Sequence, residues 1–148
     1  MTVDSPRSKL VVTSSLPGRF PLSGVTVAPG PNALGLAVIT LTALDAADFK
    51  SPGRVLITAT GSAENTGTRW KDAAKESVGR VWGQRPSRVE GIPAAVTLPV
   101  PRQRVKAWAL DERGARKAAV PVGGLTDEAT LVLDPSWKTL WYEVEVGR

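Results

Sequence analysis

The groups able to do covalent chemistry in this chain are its carboxylates, lysines, Ser and Thr hydroxyls and the single tyrosine, Tyr142, because the sequence has no cysteine and no histidine. Their absence removes thiol nucleophiles, disulfides, zinc fingers, iron–sulfur clusters, the commonest general base and nearly all transition-metal sites. A glycosidase would need two carboxyl groups across a sugar cleft, and Glu64 and Glu90 are the pair to nominate. Against that stands a structural use: Glu64 satisfying backbone donors in a turn, Glu90 pairing with a nearby arginine. The stretch GSAENTG at 61–67 superficially resembles a phosphate-binding loop, but Thr68 and Arg69 follow where Lys and Ser/Thr are required. Asp45 and Asp48 could hold calcium together with backbone carbonyls; two carboxylates three apart before Phe49 more commonly mark a solvated turn. No catalytic residue, metal or cofactor is therefore assigned.

The tryptophans carry more information. The chain has five, against two phenylalanines and one tyrosine. A core that needs bulk recruits Leu, Ile and Phe first, whereas Trp combines a large flat face with an N–H handle and suits half-wet surfaces. Trp70 lies between Arg69 and Lys71, Trp82 between Val81 and Gly83, and Trp141 alternates with Thr139, Glu143 and Glu145 on the polar face of a strand. Such rings can act as platforms for a pyranose, whose axial C–H groups form an apolar face. The competing reading makes each of them packing: Trp141 covered by the loop 61–93, Trp108 structural, Trp137 a turn residue against Pro135, and Arg69 or Arg80 stacked on indole faces.

Charge is localised. The net charge is +5, and residues 69–104 hold eight basic and three acidic residues, so the whole excess sits in that segment. A basic patch raises the question of nucleic acid. The segment has no run of three Lys or Arg and no RNP1-like or helix-turn-helix pattern, so neither nucleic acid nor membrane is an expected partner.

The elements that must position these residues are strands. Period-two alternation marks 36–44, 54–60, 104–110, 129–133 and 139–146, with Val55/Ile57/Ala59, Val105/Ala107/Ala109 and Ala129/Leu131/Leu133 each on one face of their strands and Leu140/Tyr142/Val144/Val146 facing inward on the last. Both faces of 36–44 are largely apolar, which predicts a central strand. Weaker strands are expected at 9–13, 24–27, 94–98 and 116–120. Turn residues separate the runs: Pro17-Gly18, Pro29 to Asn32, Ser51 to Gly53, Asp111 to Gly114, Gly123-Gly124 and Asp134 to Ser136. Only 71–77 tolerates helix, for one or two turns at most. About eight to nine short strands with Pro/Gly turns predict an all-β protein, an antiparallel β-sandwich of jelly-roll or immunoglobulin-like kind, over one domain spanning 1–148; a closed barrel is the alternative. Residues 61–93 break the alternation and are expected to form a long, irregular, loop-rich insertion, which makes them the first place to seek a site. No apolar run approaches the about 18 residues of a membrane span, and the N-terminus has no apolar signal segment.

Taken together, VDSPR at 3–7, GSAENTG at 61–67 with Trp70, SVGRVWG at 77–83, VEGIP at 89–93, VKAWALD at 105–111 and TLWYEVE at 139–145 resemble the C-terminal β-sandwich domains attached to large bacterial glycoside hydrolases of polysaccharide degraders. The resemblance covers nearly the whole chain. It implies an accessory module of the carbohydrate-binding kind, belonging to a larger secreted, extracellular or periplasmic enzyme whose signal peptide and catalytic domain lie upstream. It transfers no binding residues. From the residues themselves, Trp70 and Trp82 are the expected stacking platforms, Asn65, Arg69 and Arg80 the hydrogen-bond donors, and Trp141 a third platform. The expected partners are a poly- or oligosaccharide and the catalytic domain of the parent hydrolase. A structural domain that packs on that catalytic domain without binding glycan is the alternative. A small hydrolase or lyase using Glu64 and Glu90 is the third possibility.

Overall fold

The computed structural model describes residues 1–33, 35–50 and 52–147. Its thirteen strands are β1 (Thr2–Asp4), β2 (Ser8–Thr13), β3 (Phe20–Leu22), β4 (Val25–Pro29), β5 (Ala37–Ala43), β6 (Arg54–Thr66), β7 (Gln84–Gly91), β8 (Ala94–Leu98), β9 (Val105–Leu110), β10 (Arg116–Val120), β11 (Val122–Gly123), β12 (Ala129–Leu133) and β13 (Trp141–Val146). They form two antiparallel sheets. The larger runs β1-β2-β5-β6-β13-β9-β10, with β7 added to β6; the smaller runs β11-β12-β8-β4-β3. All nine expected strands are present, and the arrangement is the β-sandwich, not a closed barrel. The count rises to thirteen because three strands, β1, β3 and β11, have only two or three residues, too few to show a period. The fourth is β7.

The core is aliphatic. Val11, Ile39, Leu41, Val55, Ile57 and Val144 of the large sheet meet Val25, Val27, Val96, Leu98, Leu131 and Leu133 of the small one, all essentially inaccessible. Each such side chain contributes about 1.5–3 kcal/mol on burial. Strand β5 is central, between β2 and β6, its inner residues sealed and its outer ones half-buried. The only aromatic side chains in the buried cluster are Phe49 and Tyr142. Tyr142 donates to the Asp134 carbonyl at 3.3 Å, and burial pushes its hydroxyl up to about 12. No tryptophan is in that cluster, although Trp137 packs against its edge.

Aspartates shape the turns, as their short acceptor side chains allow. Asp111 accepts the N–H groups of Arg113 and Ala115 between β9 and β10, and Asp134 caps the 3₁₀ turn Pro135–Trp137 through the Ser136 N–H at 2.7 Å. Asp45 accepts the N–H groups of Gly53 and Arg54, which closes the β5–β6 connection, and Asp48 accepts that of Lys50. Both candidate calcium ligands are thus turn acceptors. Ser51 of the expected turn lies outside the described residues. Segment 71–77 contains no helix; Lys75 takes the left-handed conformation at φ 59°, which interrupts a helical turn. Among the described residues no helix is long and apolar enough to cross a membrane.

Two charged residues lie where the alternation alone would not put them. Lys9 faces inward on β2 and is 3% exposed; its ammonium reaches the mouth of the sandwich, bonding Asp4 and the Ser5 carbonyl above the Phe49 ring. Glu143 faces outward yet is 6% exposed, because Arg116 and Arg54 cover it at 2.9 and 2.8 Å. Hydrogen bonds from Arg116, then Arg54, hold the Glu143 carboxyl below the usual range against the opposing effect of burial. Lys9, followed by the Ser23 N–H, lowers Asp4 to about 2.

A depressed carboxyl stabilises the folded state above its unfolded value and loses that contribution as pH falls through its folded value. For Asp4 the window runs from about 3.9 down to about 2. Thermal unfolding from neutral to strongly acid pH should show Asp4→Asn less stable than wild type at neutrality, the two converging as that window is crossed. A gap that stays constant throughout would contradict the Asp4–Lys9 tie.

Candidate functional site

Strand β6 pairs with β13 as far as Thr58 and with β5 as far as Thr60. Its remaining residues, 61–66, have β7 as their sole strand partner. The two therefore continue as a two-stranded arm, with tip 67–83, past the edge of the sandwich. The expected irregular insertion at 61–93 is thus partly regular: its flanks are strands and its irregular part is the tip. The alternation is hidden because β7 is exposed on both faces over most of its length, so nothing selects apolar residues there. Register shifts between Thr60 and Ala63 and between Asn65 and Thr66 mark bulges, which bend and twist a ladder. Gly61 sits at the base, where an added Cβ would lie 2.7 Å from Ile92 and 2.8 Å from Glu90.

Side chains inside the arm hold it in shape. Asn65 donates to the Trp82 carbonyl at 3.1 Å and accepts from the Ser87 hydroxyl at 2.7 Å. Thr68 donates to the carbonyls of Asn65 and Trp82. Glu64 accepts the Trp70 indole N–H at 3.1 Å on one oxygen and Arg88 at 3.0 Å on the other. The tip is closed by Arg69 N–H to Val81 carbonyl and Lys71 N–H to Ser77 carbonyl. Gly83 has φ +72°, and a Cβ there would meet the Thr66 carbonyl at 2.6 Å, so glycine is required.

This framework brings Trp70 and Trp82 into the lining of one concavity of about 240 Å³, whose walls include Ala63, Asn65, Thr68, Val78 and Ser87. At roughly 30 Å³ per water it displaces a ring-sized ligand's worth of solvent. Trp82 is 66% exposed and Trp70 36%, the latter with Lys75 5.9 Å over its ring. On its other side Trp82 borders a second groove of about 570 Å³ with Arg69, Arg80, Gln84 and Arg85. Trp141 is apart from both: it stands on the outer face of the large sheet, in a groove with Val89 and Gly91 of the arm's base and Thr139. The arm borders Trp141 without sealing it, leaving it 38% exposed.

Of the six expected site residues, the structure gathers five on the arm and leaves Trp141 elsewhere. Asn65 lines the concavity, but both ends of its amide already brace the arm. Arg69 and Arg80 line the groove that Trp82 shares with them, not the concavity that it shares with Trp70, and among the described residues neither stacks on an indole. The arginine–indole stack is instead Arg116 on Trp108 at 3.6 Å, which leaves that ring a packing role. The structural uses expected of the two glutamates are exchanged: Glu64 pairs with an arginine, while Glu90 accepts the backbone N–H of Ala33 at 2.8 Å and its other oxygen is buried with no partner among the described residues. Arg85 enters the sequence reading only as part of the charge excess in 69–104, and Gln84 carries no signal there. Among the described residues no group of three or more acidic side chains is placed to hold a metal ion.

No family model matches the chain, and neither a curated protein nor a solved structure matches it.

Because Glu64 orients Trp70 through a single exposed hydrogen bond, Glu64→Ala should free the indole at a cost of under about 1 kcal/mol in stability. Acrylamide quenching of tryptophan fluorescence should rise in that variant. Unchanged quenching would show that the tip, not Glu64, fixes the ring.

Proposed function

We propose that this chain is a non-catalytic carbohydrate-binding domain that holds a parent glycoside hydrolase near polysaccharide outside the cell. The observation that carries the reading is the pair Trp70 and Trp82, two accessible indoles lining one concavity on the arm. Indoles facing water need a reason, since an aliphatic core already fills the sandwich. Covering about 100 Å² of one ring face yields roughly 2–3 kcal/mol at about 25 cal/mol per Å². Two such faces, together with Arg, Asn and Gln hydrogen bonds to sugar hydroxyls, reach only micromolar to millimolar affinity after association costs. That strength serves a tethered module, which acts by raising the effective concentration of substrate without altering the chemical step. The motif resemblance to accessory domains of large glycoside hydrolases agrees with this reading.

A different surface favours the second reading, a domain that packs on the catalytic domain and binds no glycan. The outer face of the small sheet carries Pro21, Thr26, Ala28, Ala95, Thr97, Thr130 and Val132, with no charged side chain among them and Val132 59% exposed. Uncharged sheet faces of this kind suit protein contacts.

Affinity-gel electrophoresis against a panel of neutral and acidic polysaccharides tests the first reading. Retardation by at least one glycan is expected, weakened about tenfold or more by Trp82→Ala or Trp70→Ala and much less by Trp141→Ala. If no glycan retards the chain while it self-associates in a concentration series by ultracentrifugation, the packing role replaces the binding one.

A further inference from the structure

We propose that the groove on the far side of Trp82 is a subsite for an anionic sugar, so that the polysaccharide recognised is an acidic one. This rests on the carbohydrate-binding reading and names its ligand class. Three arginines, Arg69, Arg80 and Arg85, line this groove. Among the described residues none of the three is in an ion pair or donates a side-chain hydrogen bond, and all are exposed. The contrast with other arginines is direct: Arg54 and Arg116 are neutralised by Glu143, Arg116 also by Glu145, and Arg88 by Glu64. Like charges lining one concave wall repel each other and focus a positive potential into it, and an anion relieves both effects. The guanidinium fork matches the planar carboxylate of a uronate in a bidentate manner.

The rest of the groove fits a sugar ring bearing such a group. Trp82 supplies an apolar edge and Gln84 a neutral donor and acceptor. Gly67 and Gly83 leave part of the wall as bare backbone, and at Gly67 no atom lies within 4 Å of where a Cβ would be. A single-stranded nucleic acid would need successive stacking rings along a continuous basic track. Here one ring borders the groove, and the concavity across it contains the carboxylate of Glu64.

The test compares polygalacturonate with its methyl-esterified form, the same backbone without the charge, by affinity electrophoresis and titration calorimetry on the wild-type chain. Polygalacturonate should bind about tenfold more tightly, and the preference should fade at about 1 M salt, where screening acts within about 3 Å. The combined variant Arg69→Gln, Arg80→Gln, Arg85→Gln should abolish the preference while retaining the wild-type melting temperature. The acid–ester comparison itself requires no variant. Binding of a sulfated galactan in place of polygalacturonate would also support an anionic-sugar subsite, with sulfate as the anion. Equal binding of acid and ester, or binding of neutral glycans alone, would overturn the subsite and leave the carbohydrate-binding reading standing. Tighter binding of single-stranded poly(dT) than of any acidic glycan would overturn it in favour of nucleic acid, and failure to bind any glycan would remove both readings.

Discussion

Past Thr60, strand β6 has lost its earlier neighbours in the sheet and finds its strand partner in β7 alone. Unpaired N–H and C=O groups are costly wherever water cannot reach them, so the continuing strands must either bond each other or dissolve into loop. A two-stranded ribbon alone is marginally stable. This one is held by contacts that a wider sheet would not need: the Asn65 amide across to Trp82 and Ser87, the Thr66 hydroxyl on the Pro86 carbonyl, and Glu64 on Arg88. The exposed tryptophans follow from the same constraint. The rings at its tip stay accessible, Trp82 at 66% and Trp70 at 36%.

The sandwich makes that exposure affordable. Its core closes on Val, Leu, Ile and Ala, with Phe49 and Tyr142, so no tryptophan is needed inside to reach native packing. The two faces that look outward then differ in character. The large sheet's outer face carries a charged row in which Arg54 and Arg116 cover Glu143 and Arg116 also lies on Trp108. The small sheet's outer face is uncharged. Three surfaces of different chemistry thus arise from one scaffold: aromatic and basic on the arm, ion-paired on the large sheet, neutral on the small sheet.

Trp82 borders two concavities at once, one shared with Trp70 and one shared with three arginines. A polymer lying across the tip could place one ring in each. Its weak contacts would add through the shared chain, as tethered contacts do.

Sequence alone determined the fold class and nine strands, and for the strongest of them which residues share a face, because alternation has a fixed period of two and a strand packed on the core carries its apolar residues on one face. It also localised the basic excess and separated tryptophans beside polar neighbours from core positions. Tertiary structure decided what periodicity cannot encode. Strand β7 is exposed on both sides, so its pairing with β6 leaves no apolar signature. Glu143 is buried by side chains reaching over from β6 and β10, not by its own strand. Which arginines would find carboxylates and which would be left facing a groove depended on partners up to 89 residues away, as between Arg54 and Glu143. Local composition fixes how many charges a segment holds; only the meeting of distant strands fixes which of them are neutralised.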